Sequence, residues 1–95
     1  MEPGNEDRLL VIVPAYNEEA SIAHVVQGVL TTHADNRARR LPAASVLVID
    51  DGSSDRTADV AQAAGAMVLR LPYNLGLGGA VQAGFKFVAR HAYAF

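Results

Sequence analysis

The chain has no cysteine, which excludes disulfides and thiolate–metal sites and is typical of a reducing compartment. No apolar run approaches the roughly 20 residues that a membrane-spanning helix needs. Residues 1–7 are acidic and polar, opposite to the basic start of a secretory signal peptide. We therefore expect a cytosolic chain.

A dominant basic patch is also missing. Eight Lys and Arg stand against ten Asp and Glu, for a net charge of −2, so nucleic acid is not an expected partner. The three histidines, His24, His33 and His91, share no metal-ligand spacing. With 95 residues, 51% of them hydrophobic, the composition predicts one ordinary globular domain with a modest core.

Three apolar runs bounded by turn residues predict buried parallel strands, and helical spacing of apolar residues predicts a helix after each. The strands are predicted over Leu9–Val13 (ended by Pro14), Ser45–Ile49 and Met67–Leu71. The first helix is predicted over about Glu18–Thr32, and the second from Thr57 to a stop at Gly65. The third helix is predicted to follow Tyr73–Gly79, with Val81, Gly84, Phe85 and Val88 on one face. Residues 1–7 are predicted to be a disordered lead-in, 33–44 a polar connection, and His91–Phe95 the approach to a fourth strand. This order predicts a three-layer α/β fold, βαβαβα, with a parallel sheet and right-handed crossovers.

An acidic turn follows the second strand. Asp50 and Asp51 come directly after Val46–Ile49, and Gly52 allows a sharp exit toward residues that can cap the next helix. Two interpretations stay open: the carboxylates cap a helix, or they accept hydrogen bonds from a nucleobase N–H or ribose hydroxyls. A receiver domain would need a phosphoacceptor aspartate on a later strand, and Met67–Leu71 has none.

A glycine-rich loop, Asn74–Gly84, opens the third helix. Its spacing does not fit a dinucleotide-binding motif, because Val81 stands where a small residue is needed. It does not fit a P-loop either, because Phe85, Lys86 and Phe87 follow Gly84. Two interpretations remain: backbone N–H groups approach an anion, or Gly84 allows tight packing of the helix on the sheet.

The turn after the first strand, Pro14–Glu18, also allows two interpretations. Tyr16 can border a base while Asn17 or Glu18 makes a hydrogen bond. The alternative is helix capping beside one exposed aromatic side chain. Because the carboxyl ends of parallel strands meet at one edge, this turn should neighbour the acidic turn.

Three motifs occur in this order: Val11–Glu19 (VIVPAYNEE), Val48–Asp55 (VIDDGSSD) and Asn74–Gly84 (NLGLGGAVQAG). Together they resemble family-2 glycosyltransferases, most closely the branch that includes dolichyl- and polyprenyl-phosphate sugar transferases. The resemblance covers about Leu9 to Phe95. It implies that residues 8–95 form the N-terminal half of a GT-A fold. It also implies a UDP- or GDP-linked sugar donor, with transfer to a hydroxyl or a polyprenyl-phosphate acceptor.

The resemblance further implies which residues contact the nucleotide-sugar. The nucleoside pocket would be lined by Pro14, Tyr16 and Glu18, with Asn17 beside them. The base would be bound by one of Asp50 and Asp51, with Asp51 favoured. The ribose and diphosphate would lie near Arg70, Asn74 and the Gly76–Gly79 loop.

The family's Asp-x-Asp motif, which holds Mg²⁺ or Mn²⁺, and its later catalytic carboxylate have no counterpart in these 95 residues. We therefore expect the complete family enzyme to use Mg²⁺ or Mn²⁺, and this chain alone to bind no metal, to supply no catalytic residue and not to turn over. Two alternatives stay open. The chain is a non-catalytic nucleotide-binding or interaction module complete at this length, or it is a truncated product without function.

In the family's sheet the fourth strand pairs beside the first. Without that strand the edge of Leu9–Val13 is exposed, and an apolar, unprotected edge predicts self-association. A lipid-phosphate acceptor would place the full enzyme's work at the cytosolic face of a membrane.

Overall fold

The computed structural model describes residues 8–35 and 43–90, where strands alternate with helices. The elements are β1 (Arg8–Ala15), α1 (Ile22–Asp35), β2 (Ala43–Asp50), α2 (Thr57–Ala63), β3 (Met67–Arg70) and α3 (Gly76–Arg90). The predicted lead-in, most of the predicted polar connection and His91–Phe95 lie outside the described residues.

The three strands form one parallel sheet in the order β1-β2-β3. Val46 of β2 pairs in register with Val11, and Val48 with Val68 of β3. Helices α1 and α2 pack together on one face, and α3 crosses β1 and β2 on the other. The predicted three-layer α/β arrangement with a parallel sheet is confirmed.

Strand β2 lies at the centre and is buried on both faces. Val46 and Val48 pack toward α1 and α2, whereas Leu47 and Ile49 pack toward α3. Successive side chains of a strand point to opposite faces, so a central strand needs apolar residues at every position. This explains the uninterrupted apolar run of β2.

Some predicted boundaries and positions are wrong. Strand β1 does not end at Pro14, which pairs in register with Ile49, and the strand ends at Ala15. Among the described strands β1 borders only β2. A strand that is paired on one side tolerates the missing N–H of proline. Helix α1 begins at Ile22, because the preceding residues make a turn closed on the Glu18 carbonyl.

In α3 the buried stripe is Ala80, Gly84 and Val88, spaced four residues apart. Phe85 was predicted on the buried face but is 50% exposed. It lies one residue, about 100° of helix, away from that stripe.

The loops at the carboxyl ends of β1 and β2 are hydrogen-bonded to each other. In the first loop (residues 16–21) Asn17 has a left-handed backbone, φ 52, which asparagine tolerates. Its N–H donates to Ser53 Oγ of the second loop (residues 51–56) at 2.8 Å, and Ser54 N–H donates to Asn17 Oδ1 at 2.9 Å. Glu18 N–H donates to Thr57 Oγ1 at 2.8 Å. These bonds hold the first loop against the start of α2.

Asp55 completes this junction. Its Oδ1 accepts the N–H of Thr57 at 2.9 Å as well as the Thr57 hydroxyl, and its Oδ2 accepts the N–H of Glu19 at 3.2 Å. The Thr57 hydroxyl, with the backbone N–H groups, holds the pKa of the Asp55 carboxyl below its ordinary 3.8, although partial burial opposes this. Of the predicted capping candidates, Asp55 binds the helix start, whereas Ser53 and Ser54 bind the first loop.

Within residues 8–35 and 43–90, no helix combines the length and apolar character that crossing a membrane requires.

Gly84 should be intolerant of a side chain. An added Cβ would lie 3.1 Å from Ile49 Cδ1 and 3.3 Å from Ile12 Cγ2, which supports the interpretation that Gly84 allows tight packing of the third helix on the sheet. We expect Gly84→Ala to lower the free energy of unfolding by up to about 2 kcal/mol, because overpacking of the core outweighs the roughly 0.5–1 kcal/mol that alanine gains over glycine in a helix interior. Urea unfolding measures this.

Gly28→Ala is the matched control. Nothing lies within 4 Å of a Cβ at Gly28 in α1. The control should raise the free energy of unfolding by about 0.5–1 kcal/mol, because alanine favours a helix interior over glycine. Equal effects of the two changes would contradict the packing of α3 on the sheet.

Asp55 should contribute to acid sensitivity. Because its folded pKa is lowered, its contribution to stability is complete above its ordinary pKa of 3.8 and is lost as the pH falls through the lower folded pKa. Asp55→Asn should therefore be less stable than the parent at neutral pH, with a difference that shrinks below about pH 4. Urea unfolding across this range measures it; a difference that does not change down to about pH 2.5 would rule this out.

Candidate functional site

The predicted nucleotide-sugar residues come together at the carboxyl edge of the sheet. Pro14 lies near the end of β1, and the first loop contains Tyr16, Asn17 and Glu18. Asp50 ends β2, Asp51 follows it, and Arg70 ends β3. Asn74 lies in the third loop (residues 71–75), and the first turn of α3 contains Gly76 and Gly79. This is the edge at which open α/β sheets bind ligands.

The acidic pair is divided between the two faces of the sheet. Asp50 continues the row of Val46 and Val48 toward α1 and α2, so the next residue, Asp51, points toward α3. Both are buried, with relative exposures of 6% and 4%. Two adjacent carboxylates therefore have different partners.

Asp50 organises the second loop. Its Oδ1 accepts the N–H of Ser53 at 3.1 Å, and its backbone carbonyl accepts the N–H groups of Gly52 and Leu71 at 2.9 and 2.8 Å. Within the described residues Oδ2 accepts no hydrogen bond, and no fully buried side-chain oxygen there lacks a partner. The described residues therefore leave this oxygen as an acceptor for a further hydrogen bond.

Asp51 holds the start of α3. Its Oδ1 accepts the N–H of Leu75 at 2.7 Å and its Oδ2 accepts the N–H of Gly76 at 3.0 Å. Asn74 Nδ2 donates to the Asp51 carbonyl at 3.2 Å, and the Asp51 N–H donates to the Ala15 carbonyl at 2.8 Å. Successive amides that converge on one anion form a backbone anion site. Here the anion is a carboxylate of the chain itself, so Asp51 does cap a helix.

Gly52 brings the second and third loops into contact. Its φ is 73, and a Cβ would lie 2.5 Å from the backbone N of Asn74 and 2.5 Å from the backbone C of Tyr73. No other residue type fits this position without displacing the third loop. Gly76, whose N–H is bound to Asp51, also has a left-handed backbone, φ 80, which glycine adopts without steric cost.

The first loop presents one exposed ring. Tyr16 is 48% exposed. Glu18 Oε2 accepts the Ser21 hydroxyl at 3.1 Å, and the Asn17 side chain is bound to Ser54. The sequence patterns did not indicate that Asn17 joins the loops; the tolerance of asparagine for a left-handed backbone was the one available signal.

Arg70 turns toward α2. Its Nη2 lies 2.6 Å from Asp59 Oδ1, and Arg56 Nε lies 3.7 Å from Asp59 Oδ2. The side chains of Arg70 and Asp59 are 60% and 51% exposed, and such exposed pairs contribute little to stability. The guanidinium can therefore leave this partner at small cost.

The donor set at this edge does not fit a metal ion. Asp50 and Asp51 lie on opposite sides, and three of their four oxygens accept backbone N–H groups. In the part of the chain that the structure describes, no group of three or more His, Asp or Glu side chains converges. Mg²⁺ requires near-octahedral oxygen ligands, so we assign no metal-dependent step to these residues.

A separate open groove of about 280 Å³ lies between α1 and α2. Its lining consists of Ala23, Gln27, Arg56, Asp59, Val60, Ala63 and Ala64. None of the predicted nucleotide-sugar residues takes part in it.

The sequence profile of the family described as Glycosyl transferase family 2 matches residues 10–94. The human dolichyl-phosphate beta-glucosyltransferase is 38% identical over 86 residues, which cover 81% of this chain and 26% of that protein. The uncharacterized protein MJ1222 of Methanocaldococcus jannaschii is 37% identical over 82 residues, 86% of this chain and 30% of that protein.

Among solved structures, the Mycobacterium tuberculosis glucosyl-3-phosphoglycerate synthase in complex with Mn²⁺, UDP-glucose and phosphoglyceric acid is similar, with a TM-score of 0.62 and 29% identity. The match covers 87% of this chain and 30% of that one. The chain spans 30% and 59% of the length of two relatives that it matches, the M. jannaschii protein and the RfbJ protein of Shigella flexneri.

The profile match covers nearly the whole chain, and the relatives and the solved structure agree with it. The described residues form part of a GT-A fold, and the chain belongs to glycosyl transferase family 2.

Proposed function

We propose that the carboxyl edge of this sheet binds the nucleotide of a UDP- or GDP-linked sugar. The observation that carries the proposal is the convergence of the three motif loops around a buried acidic pair. One oxygen of that pair, Asp50 Oδ2, stays available, and Tyr16 on the neighbouring loop presents an exposed ring. A charged acceptor and an exposed aromatic ring on neighbouring loops suit a nucleobase with an N–H donor.

One of the two carboxylates, Asp50 or Asp51, would make the contact with the base. The sequence motif favours Asp51, whose oxygens each accept one N–H and keep a second lone pair. Asp50 offers Oδ2 without competition from the described residues. A hydrogen bond to a charged group contributes about 1.5–3 kcal/mol, enough to select one base.

The ribose and diphosphate would lie toward the third loop and α3. Asn74, Gly76 and Gly79 line this side, and Arg70 reaches it after it leaves Asp59. Because the N–H groups of Leu75 and Gly76 are bound to Asp51, a diphosphate here would rely on later amides of α3 and on Arg70.

For the longer enzyme we propose transfer of the sugar to a polyprenyl phosphate or a hydroxyl group at the cytosolic face of a membrane. The name of the human relative, a dolichyl-phosphate transferase, and the Mn²⁺ and UDP-glucose in the mycobacterial complex support this class. Mg²⁺ or Mn²⁺ and the catalytic base would come from residues that this sequence does not contain. We propose that the 95-residue chain binds the donor without turnover.

A non-catalytic nucleotide-binding or interaction module is the second candidate. The observation in its favour is that the loops at this edge bind one another through Asn17, Asp51 and Asp55, so the chain's own groups hold the edge in shape. Both candidates predict that the 95-residue chain binds a nucleotide without transfer, and they differ in whether a longer protein transfers the sugar.

Calorimetry with UDP and GDP, with and without Mn²⁺, tests the proposal. The chain should bind one of them. Replacing the contacting carboxylate, by Asp50→Asn or Asp51→Asn, should weaken binding by about 10- to 100-fold through loss of a charged acceptor.

The mycobacterial synthase serves as the positive control for the assay. If neither nucleotide binds the parent chain, the proposed function is wrong. If binding survives Asp51→Asn and fails in Asp50→Asn, the base contact belongs to Asp50.

Self-association through β1 is a second testable property, because the strand borders only β2 among the described strands and Leu9 is 41% exposed. Leu9→Lys should shift the chain toward monomer, since a charged edge residue opposes strand addition. Val25→Lys on α1, at 42% exposure, is the matched control. Sedimentation velocity at several concentrations measures the effect; equal association by both variants would exclude the edge.

A further inference from the structure

We propose that Asp51 is a positioning residue that clamps the third loop and the start of α3 against the acidic turn and so shapes the edge for the nucleotide. The proposal rests on the proposed function for its ligand, and it adds a role that is independent of any direct contact with the base. It concerns how the binding edge is held in shape.

The clamp uses both carboxylate oxygens. Leu75 N–H and Gly76 N–H lie 2.7 and 3.0 Å from Oδ1 and Oδ2, and Asp51 is only 4% exposed. A side chain that is nearly buried and bound through both oxygens cannot move without releasing two backbone amides. Those amides begin α3, so the carboxylate sets where the helix starts.

Two further contacts secure the same junction. Gly52 lies against the backbone of Tyr73 and Asn74 so closely that a Cβ would come within 2.5 Å of each. The Asp50 carbonyl accepts the N–H of Leu71 at 2.8 Å, at the opposite end of the third loop. The third loop is thus held at its start, its middle and its end by three consecutive residues, Asp50, Asp51 and Gly52.

One consequence concerns the anion. Asp51 takes the amides of Leu75 and Gly76, so the clamp shapes the loop and leaves only later amides of α3 for a diphosphate. A direct contact with the base alone predicts that the Asp51 variants lose affinity while the Leu75 and Gly76 amides stay protected. A clamp predicts that affinity and amide protection fall together, and that loosening the junction from the Gly52 side weakens binding with both carboxylates intact.

The test combines amide hydrogen exchange by NMR with calorimetry of UDP and GDP on the 95-residue chain. The variants are Asp51→Ala, Asp51→Asn and Gly52→Ala, with Gly28→Ala as the control. Asp51→Ala should speed exchange of the Leu75 and Gly76 amides by at least about tenfold, while core amides of β2 stay protected. Asp51→Asn keeps one acceptor oxygen, so it should retain protection at one of the two amides.

Binding should follow protection. Asp51→Ala and Gly52→Ala should each weaken nucleotide binding by about tenfold or more, and Gly28→Ala should leave it unchanged. Should Asp51→Ala not fold, Asp51→Asn and Gly52→Ala still decide the question.

Wild-type exchange at Leu75 and Gly76 in the Asp51 variants would overturn the clamp. Faster exchange with unchanged affinity would overturn the positioning role. Absence of nucleotide binding by the parent chain would overturn the proposed function and the positioning role together, and the exchange data alone would then decide whether the clamp exists.

Discussion

Burial of β2 on both faces is the constraint on which the site depends. A strand covered by α1 and α2 on one side and by α3 on the other must alternate its side chains between two cores. That alternation continues past the last apolar residue, Ile49, into the acidic turn. It sends Asp50 toward the second loop and Asp51 toward α3. Two adjacent carboxylates thus become two separate anchors.

The chain's own polar groups then organise the edge. Asp51 binds the amides that begin α3, Asp55 binds Thr57 and Glu19, and Asn17 binds Ser54. The partly buried contacts of Asp51, and that of Asp55 with Thr57, satisfy groups that would be costly to bury without a partner, whereas the Asn17–Ser54 contact is exposed. The result is three loops joined by hydrogen bonds, in which Asp50 Oδ2 accepts none from the described residues and the Tyr16 ring stays exposed. Such preorganisation lowers the ordering cost of binding.

Much of the fold follows from local pattern. The three apolar runs predicted the strands, and the turn residues Gly52 and Gly65 do adopt the left-handed backbone that their positions suggested. The boundaries were less predictable. Strand β1 continues through Pro14 because, among the described strands, β1 pairs only with β2 and can accommodate the missing N–H of proline.

Residue roles at the site were harder to predict than their location. The motifs correctly predicted that the acidic turn, the glycine loop and the first turn lie at one edge. They left open whether the glycine-loop amides meet a ligand or an internal anion, because both uses require the same glycines. The distances from Asp51 to Leu75 and Gly76 identify an internal anion in this structure.

The sequence by itself determined the α/β class, the order of elements, the burial of β2 and the family, because these depend on periodicity and short motifs along the chain. Only the tertiary structure decided that Asp51 faces α3 and holds it, that Asp50 keeps an oxygen available, and that Arg70 turns to Asp59. Those outcomes depend on which loop packs against which at the sheet edge. Leu75 and Gly76 lie 24 and 25 positions from Asp51. Asn17 and Ser54, which join the first and second loops, are separated by 37 positions. No local pattern encodes such a pairing.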